Sequence, residues 1–381
     1  MKKNASILLC CVLTLAALGA VMVFSVISAR ASTVGVGVKY LLKHLLWAVI
    51  GLTGMTLAAR FDYRKLQRRW PLIAGIALLL LVAVRVPGIG TCKNGAWRWI
   101  RFGPVGFQPS ECAKMAVIVT VAVLLTRRKT ELMTLKRDVL APMAVVAGAM
   151  ALIVVEPDFG TAALVAGVGT LMVLASGAPV WPLAAASAAG AGGLGFLIWR
   201  SPTRLARVFA FLDPWKHQDR AGYQVVHSLI SLGSGGLAGR GLGASRQKLF
   251  YLPESDSDFI LAVIGEELGL IGTLAVIVVF LLIVRQGMAI SERASDPFGA
   301  FLAFGITMMI GLQALIHIAV VTASMPTKGI ALPFVSSGGS SMVVSMTAVG
   351  VLLSIAARAQ APGTVPQADA GVGRPAIGAA D

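Results

Sequence analysis

Long apolar runs dominate this chain and restrict what it can fold into. Of its 381 residues, 57% are hydrophobic and only 13% are charged, whereas soluble domains contain about 25% charged residues. A helix needs about 20 apolar residues to cross a bilayer. The sequence therefore predicts an all-α polytopic membrane protein with about ten transmembrane helices. The ten runs lie near residues 6–28, 41–60, 71–87, 109–126, 139–155, 159–177, 179–199, 258–284, 299–322 and 341–358.

The positive charge of the chain, formally +16, is spread over the segments between the apolar runs. No basic run is interleaved with exposed aromatic residues, so a bilayer surface or an anionic lipid headgroup fits this charge better than nucleic acid does. Short basic segments follow the second, fourth and eighth runs. By the positive-inside rule these segments are cytoplasmic, and both termini then face the cytoplasm.

The segment 200–257, between the seventh and eighth runs, is predicted to be a large extracytoplasmic loop. Long loops cross the membrane whatever their charge, so a solvated loop explains any single cation in it. An external anionic ligand would explain all eight together. The eight cations are Arg200, Arg204, Arg207, Lys216, Arg220, Arg240, Arg246 and Lys248.

The two ends of the chain need separate treatment. The N-terminus imitates a signal peptide, but its apolar run exceeds the usual core of about 7–15 residues, which favours an uncleaved first helix. Residues 359–381 are rich in Ala, Pro and Gly and predict a disordered cytoplasmic tail, which leaves 1–358 as the transmembrane domain. Cys92 and Cys112 fall on the predicted outer side, where a disulfide between them is possible.

Three outer segments have polar residues beside apolar runs. In the first, which includes Arg98, Glu111 and Lys114 lie three apart in the first turn of a predicted helix. They can form an ion pair with each other, and Lys114 can also bind a phosphate. In the second, 156–161, a short turn explains the Pro and Gly residues, but two carboxylates make Asp158 a site candidate.

The third segment, 325–341, contains too many Pro and Gly residues for a continuous helix. At membrane depth such backbone is either a structural re-entrant loop or the lining of a wet cavity. Several of its groups could bind phosphate. The candidates are Lys328, Ser336 and Ser340.

The densest charge lies in 239–269, where Arg246 and Lys248 precede three acids at the start of an apolar run. An Asp at a helix start is most often an N-cap. Carboxylates this close together should raise one another's pKa toward the range of a general base, however. Asp258 is the first candidate for that base. Asp256 is the second, and Glu254 is third.

Farther along the same predicted helix, Glu266 and Glu267 lie inside the membrane, where carboxylates are functional or tightly paired. We expect a structural partner for one of them. No His or Cys spacing predicts zinc. Carboxylates and a substrate phosphate could share Mg²⁺ or Mn²⁺. No nucleotide-binding loop is present, and no organic cofactor is predicted.

These segments together resemble the SEDS family (shape, elongation, division and sporulation proteins), and within it the FtsW branch. The resemblance covers residues of about 10–358. It lies in Gly95-Ala-Trp-Arg-Trp-Ile, Gln108-Pro-Ser-Glu-Cys-Ala-Lys, Pro157-Asp-Phe-Gly, Phe211-Leu-Asp-Pro-Trp, Gly222-Tyr-Gln, Gly239-Arg-Gly-Leu-Gly-Ala-Ser-Arg-Gln-Lys-Leu-Phe-Tyr-Leu-Pro-Glu, Asp258-Phe-Ile, Gly265-Glu-Glu-Leu-Gly, Pro326-Thr-Lys-Gly and Leu332-Pro-Phe-Val-Ser-Ser-Gly-Gly-Ser-Ser.

The resemblance implies a ten-helix peptidoglycan glycosyltransferase of the bacterial inner membrane that polymerises lipid II at the division septum. Its implied partners are a class B penicillin-binding protein and other divisome membrane proteins. The family's essential acid falls on Asp258 and its charged pair on Glu111 and Lys114. The chain departs from the family pattern at Asp256, where His is usual, at Ser337, where Tyr is usual, and at His317, where Asn is usual.

The implied reaction has Asp258 as general base and a lipid pyrophosphate as leaving group. Cations should stabilise that leaving group. The candidates for this task are Arg98, Lys114, Arg246 and Lys248. Two alternatives remain open. A lipid II flippase would need a polar route through the bilayer, for which Glu266 and Glu267 are the only hints, and a divisome scaffold would need no catalytic acid.

Overall fold

A computed structural model describes residues 2–30, 34–93, 96–102, 105–127, 135–249 and 251–359. Ten apolar helices make up most of it, which confirms the prediction of an all-α polytopic membrane protein. These are α1 (Lys2–Arg30), α2 (Val34–Arg60), α3 (Arg64–Ala83), α4 (Pro109–Thr126), α5 (Ala141–Val155), α6 (Phe159–Ala175), α7 (Val180–Trp199), α10 (Ile260–Glu292), α11 (Pro297–Val321) and α12 (Gly339–Arg358). Between α7 and α10 lie α8 (Pro202–Leu212) and α9 (Tyr223–Gly235). All but the first residue of the predicted tail lies outside the described residues.

The apolar helices differ in how far they are buried within the protein. In the described ranges, nine are long and apolar enough to cross a bilayer, and α6 is a shorter tenth with 17 residues. The apolar windows of α4 and α12 are 78% buried, whereas those of α3 and α7 are 11% buried. The helices α4 and α12 therefore form the centre of the bundle. The helices α3 and α7 expose large apolar side chains such as Leu79 and Trp181, as expected at a lipid boundary.

Several turns with basic residues meet at one end of the bundle. The Ser354 hydroxyl, near the end of α12, donates to Phe61 O at 2.6 Å. Arg64 Nε lies 3.3 Å from Asp296 Oδ2, which joins the α2–α3 turn to the α10–α11 turn. We call this end the basic end and the opposite one the outer end. The positive-inside rule predicts that the basic end faces the cytoplasm.

The helix α10 is interrupted at Gly269, where φ is 69° and ψ is −166°. The segment 236–241 packs against this break, and Arg240 N donates to Glu266 O at 3.0 Å. A Cβ at Gly269 would stand 2.3 Å from Gly239 N, so both the backbone conformation and the close contact require glycine. The predicted span near 258–284 thus forms α10 with a break at Gly269, where a distant segment supplies hydrogen bonds that an unbroken helix makes internally.

The outer end contains structure that the sequence analysis did not predict. The segment 200–257 is not a simple loop, since it contains α8, a 3₁₀ turn (Trp215–His217), α9 and a series of turns. A three-stranded antiparallel sheet precedes α4, with the strands β1 (Gly90–Lys93), β2 (Ala96–Phe102) and β3 (Val105–Phe107) in that spatial order. Cys92 and Cys112 are free thiols, so the possible disulfide between them is not formed.

Candidate active site

A polar cavity of about 320 Å³ opens at the outer end of the bundle. Its walls come from β2, α4, α6, α8, α9 and α11, together with two non-helical segments, 251–259 and 325–338. The cavity brings together six of the residues that the sequence analysis selected, although they are far apart in the chain. These are Arg98, Glu111, Lys114, Glu254, Asp258 and Lys328.

Asp258 lies in a tight turn just before α10. The backbone N–H groups of Ser257 and Asp258 donate to Glu254 O at 3.1 and 2.9 Å, and the Ser257 hydroxyl donates to Asp258 Oδ1 at 3.0 Å. The other oxygen lies against Gly329, where a Cβ would stand 2.9 Å from Oδ2. Asp258 does not cap α10, because Phe259 holds the N-cap position. Its carboxylate is therefore available to a ligand in the cavity.

The protonation of Asp258 suits proton transfer near neutral pH. Burial raises the pKa of its carboxyl to about 7. The hydrogen bond from Ser257 lowers this pKa, and the negative charges of Glu254 and Asp256 raise it. A general base works best when its pKa lies near the operating pH. The environment of Asp258 therefore gives its carboxyl a pKa suited to a general base.

Asp256 faces a different part of the protein. The Ser337 hydroxyl donates to Asp256 Oδ2 at 2.7 Å, and Ser337 N donates to Asp256 O at 2.9 Å. Asp256 is absent from the cavity lining, whereas Glu254 and Asp258 are part of it. Asp256 and Asp258, the two leading candidates for the base, therefore face different surroundings, because residues 251–259 form successive turns. Two of the three departures from the family pattern, Asp256 and Ser337, are thus in direct contact.

Glu111 and Lys114 form the ion pair that their spacing predicted. Lys114 Nζ lies 2.8 Å from Glu111 Oε2 and donates to Gln313 Oε1 at 2.8 Å. Both side chains are buried in the first turn of α4, at the floor of the cavity. Because Gln313 also donates to Ala331 O at 2.9 Å, the pair is linked to the segment that carries Lys328.

Arg98 lines the cavity from β2 and also holds the turn between α5 and α6. Its guanidinium donates to Glu156 O at 3.0 Å and to Pro157 O. Asp158, in the same turn, is the N-cap of α6 and accepts from Thr161 N at 3.2 Å. The Asp158 side chain also accepts from Gln108 and Ser110. Asp158 therefore organises the cavity wall, and it does not line the main cavity itself.

Glu156, the first residue of this turn, is fully buried, and neither carboxylate oxygen has a hydrogen-bond partner among the described residues. Burial raises its pKa to about 8, and the charge of Asp158 adds to this effect against Arg98 and Arg85. Glu156 was not selected from the sequence as a site residue. No local pattern distinguishes it from an ordinary turn carboxylate.

Lys248 and Arg246 do not reach the cavity. Lys248 Nζ lies 2.7 Å from Glu267 Oε1 and donates to Ser25 Oγ at 2.8 Å, in a buried network below the cavity. Arg246 is exposed, and its backbone N–H donates to Glu266 Oε1 at 2.9 Å. The sequence predicted a structural partner for one of Glu266 and Glu267, and both of them have one. Their carboxylates fasten the segment 239–248 onto the break in α10.

The serines of the third outer segment support the backbone. Ser336 Oγ donates to Ser257 O at 2.7 Å and accepts from Leu332 N at 2.8 Å. Ser340 Oγ accepts from Gln108 N at 3.1 Å. Neither serine lines the main cavity. His317 lies beneath this segment, with Nδ1 2.8 Å from Ile330 O.

Two of the eight cations in the segment 200–257, neither of them selected from the sequence as a site residue, lie at the site. Arg207 of α8 lines the main cavity, and Arg204 lines a smaller cavity beside it. The apolar residues at 205, 208, 209 and 212 have helical spacing, and this signal could have identified α8. Among the described residues, no group of three or more His, Cys, Asp or Glu side chains is arranged to hold a metal ion.

The fold and the cavity define a polytopic membrane protein with a polar site at its outer end, in which a carboxyl that titrates near neutral pH lies among cations. The chain belongs to the FtsW/RodA/SpoVE family of cell cycle proteins, whose sequence profile matches residues 5–361. Its ten apolar helices and the cavity motifs extend over the same range.

Similar proteins agree with this assignment. A probable peptidoglycan glycosyltransferase FtsW from Geobacter sp. (strain M18) is 42% identical over 343 residues, which are 89% of this chain and 93% of the relative. Its counterpart from Coxiella burnetii is 40% identical over 352 residues, 91% of this chain and 94% of the relative. Solved structures share the fold. One chain of a peptidoglycan synthase complex has a TM-score of 0.73 at 24% identity and covers 92% of this chain and 96% of its own length. RodA from Thermus thermophilus has a TM-score of 0.67 at 24% identity, with 93% and 97% covered.

Proposed function

We propose that this protein is a peptidoglycan glycosyltransferase that polymerises lipid II into β-1,4-linked glycan strands during septal wall synthesis. The observation that supports this most is the position of Asp258, a carboxyl with a pKa of about 7 in a polar cavity that also contains cations. The relatives at about 40% identity bear the same enzyme name. Such a cavity suits a sugar acceptor next to an anionic leaving group.

In the proposed reaction, Asp258 accepts the proton of the 4-hydroxyl of the acceptor N-acetylglucosamine. The oxygen attacks C1 of the donor N-acetylmuramic acid, the bond from C1 to the pyrophosphate oxygen breaks, and the configuration at C1 is inverted. The lipid pyrophosphate leaves with the electron pair. Positioned cations lower the energy of the transition state because they stabilise charge as it develops on that leaving group.

The other residues of the cavity have distinct proposed tasks. Arg98, Lys114 and Lys328 face the anionic substrate, and Glu111 holds Lys114 in place. Glu254 is proposed to act through its charge and its backbone carbonyl. Glu254 could share a Mg²⁺ or Mn²⁺ ion with the substrate phosphates, since such ions keep several waters and take substrate oxygens as ligands, and Asp258 then stays free to act as the base. The reaction requires no organic cofactor.

The proposed setting is the bacterial inner membrane at the septum, with both termini in the cytoplasm and the cavity outside. One structural relative belongs to a complex concerned with the coordination of polymerization and crosslinking. We therefore propose a class B penicillin-binding protein as a partner, together with other divisome membrane proteins. The substrate is delivered from the outer leaflet.

The test is reconstitution of the purified full-length chain with a class B penicillin-binding protein, followed by incubation with lipid II and separation of the products. Glycan strands that depend on this chain support the proposal. A transbilayer carrier is the alternative function, and labelled lipid II in vesicles tests it. Movement of the label without any polymer, equal in wild type and Asp258→Asn, would favour the carrier and refute the polymerase.

A further inference from the structure

A second, smaller cavity of about 130 Å³ adjoins the main one at the outer end. It lies between α6, α7, α8 and the segment 325–329. Four cations line it, and three of them, Arg98, Arg207 and Lys328, line the main cavity as well. The fourth is Arg204, one turn before Arg207 on α8. The two cavities therefore share a basic boundary, which we call the junction.

Positive charge exceeds negative charge in the lining of this smaller cavity, where Asp158 is the one carboxylate. Within the described part of the chain, none of the four cations forms an ion pair with an acidic side chain. Asp158, the one acid in the lining, accepts hydrogen bonds from Thr161, Gln108 and Ser110. Four positive charges around one fully engaged carboxylate repel one another, and an anion with more than one charge would relieve this repulsion.

Arg204 and Lys328 lie close to the same aromatic ring, that of Phe159. The guanidinium carbon of Arg204 lies 4.0 Å from the centre of the Phe159 ring, and Lys328 Nζ lies 5.9 Å from it. The pKa of Arg204 is lowered by burial and by the charges of Arg207 and Arg98. Burial also lowers the pKa of Lys328, with Asp158 opposing this effect and Arg207 and Arg204 adding to it. The Phe159 ring thus helps to hold both cations in the lining of the smaller cavity, where they can contact a bound anion.

The position of α8 suits a ligand attached to a lipid. Phe209, Leu212 and Trp215 expose apolar side chains at the outer end, with 51%, 70% and 56% of their surfaces accessible. A helix with an apolar face and a basic face lies in the plane of a membrane interface. We therefore expect Arg204 and Arg207 to lie near the depth of lipid phosphates, whereas Asp258 lines the main cavity and not the smaller one.

We propose that Arg204 and Arg207 of α8, together with Arg98 and Lys328, bind the pyrophosphate of the lipid-linked donor and stabilise it as it leaves. This inference rests on the proposed glycosyl transfer and assigns its leaving group to α8 rather than to Arg246 and Lys248. The donor sugar extends from the junction into the main cavity. The breaking bond then lies between the four cations and Asp258, which takes the proton of the acceptor hydroxyl.

Binding without turnover tests the site. The purified full-length chain is titrated with farnesyl pyrophosphate, and dissociation constants are compared with those of Arg204→Ala/Arg207→Ala and of Arg207→Glu, a change at an exposed position. We expect binding to weaken about tenfold or more in both, because charge-assisted hydrogen bonds are lost. The matched control is Arg200→Ala, which removes an exposed arginine outside both cavities and should change binding less than about twofold.

Three outcomes would overturn the inference. The first is unchanged binding in both arginine variants. The second is an equal loss in Arg200→Ala, which would indicate nonspecific surface charge. The third is displacement of the probe by phosphatidylglycerol at equal concentration, which would make the pocket a phospholipid headgroup site. If wild type binds the probe but makes no polymer from lipid II, the proposed reaction fails and the anion site stands.

Discussion

The carboxylate of Asp258 packs directly on the backbone of Gly329, and a Cβ at position 329 would lie 2.9 Å from Asp258 Oδ2. The segment 325–338 thus positions the acid, and Lys328 beside it faces the same cavity. The backbone of Gly329 is not left-handed, so glycine is needed here for space and not for its conformation.

Gly329→Ala should therefore displace the Asp258 carboxylate without unfolding the chain. We expect the polymerisation rate on lipid II to fall about tenfold or more, mainly through kcat, since a small misplacement of a catalytic group is costly. Gly338→Ala is the control, because it lies in the same cavity and its methyl group would meet only Ala331 Cβ, at 3.3 Å, and Ser341 Cβ, at 3.5 Å. Equal rates for both variants and the wild type would contradict this positioning.

The pH dependence of the rate should follow the pKa of Asp258, which is about 7. The carboxylate is the active form, so kcat/KM should rise with pH and level off above about 7, with a loss of about tenfold per pH unit below it. Asp256→Asn removes a neighbouring negative charge and should shift the profile toward acid. A flat profile between pH 5.5 and 8.5 would exclude a base with this pKa.

The buried pair of Lys248 and Glu267, with Nζ and Oε1 2.7 Å apart, should govern stability and not substrate affinity. Lys248→Met leaves Glu267 charged and unpaired, which costs about 3–5 kcal/mol in comparable buried pairs. Lys248→Met/Glu267→Leu should recover part of this loss in thermal unfolding. A folded Lys248→Met variant with normal stability and a raised KM for lipid II would contradict this. It would instead support the prediction from the sequence that Lys248 binds the pyrophosphate leaving group.

Glu156 should make stability depend on pH. Its pKa is about 8 in the folded protein and near the ordinary value of 4.5 when unfolded, so the folded state holds the proton more tightly. Stability is then highest below the unfolded pKa and falls as pH rises toward 8. Glu156→Gln should reduce this fall, seen as a higher melting temperature than wild type at pH 9 and little difference at pH 5. An equal difference in melting temperature between Glu156→Gln and wild type at pH 5 and pH 9 would contradict a raised pKa for Glu156.

The sequence predicted those features that depend on local composition or short spacing. The ten helices follow from the lengths of the apolar runs, and the Glu111–Lys114 pair follows from helical neighbours three residues apart. The clustering of Arg98, Lys114 and Asp258 followed from the family resemblance. These three residues come from separate segments that no local rule connects.

What the sequence could not predict depends on contacts between distant segments. Lys248 and Glu267 meet because α10 breaks at Gly269 and another segment packs into the break. Asp256 lies against Ser337, and not in the cavity beside Asp258, because residues 251–259 form successive turns. The junction of Arg204 and Arg207 with Lys328 depends on α8 lying beside the segment 325–329 at the smaller cavity. Each of these features depends on a tertiary contact that the periodicity of apolar residues does not reveal.

The most direct test compares Asp258→Asn with Asp256→Asn. Each purified full-length variant is reconstituted with its partner transpeptidase, and the glycan strands formed from lipid II are measured at pH 8. The account predicts that Asp258→Asn, folded and still binding farnesyl pyrophosphate, forms no detectable strands, whereas Asp256→Asn stays active. Normal strands from Asp258→Asn, or loss of activity only in Asp256→Asn, would contradict it.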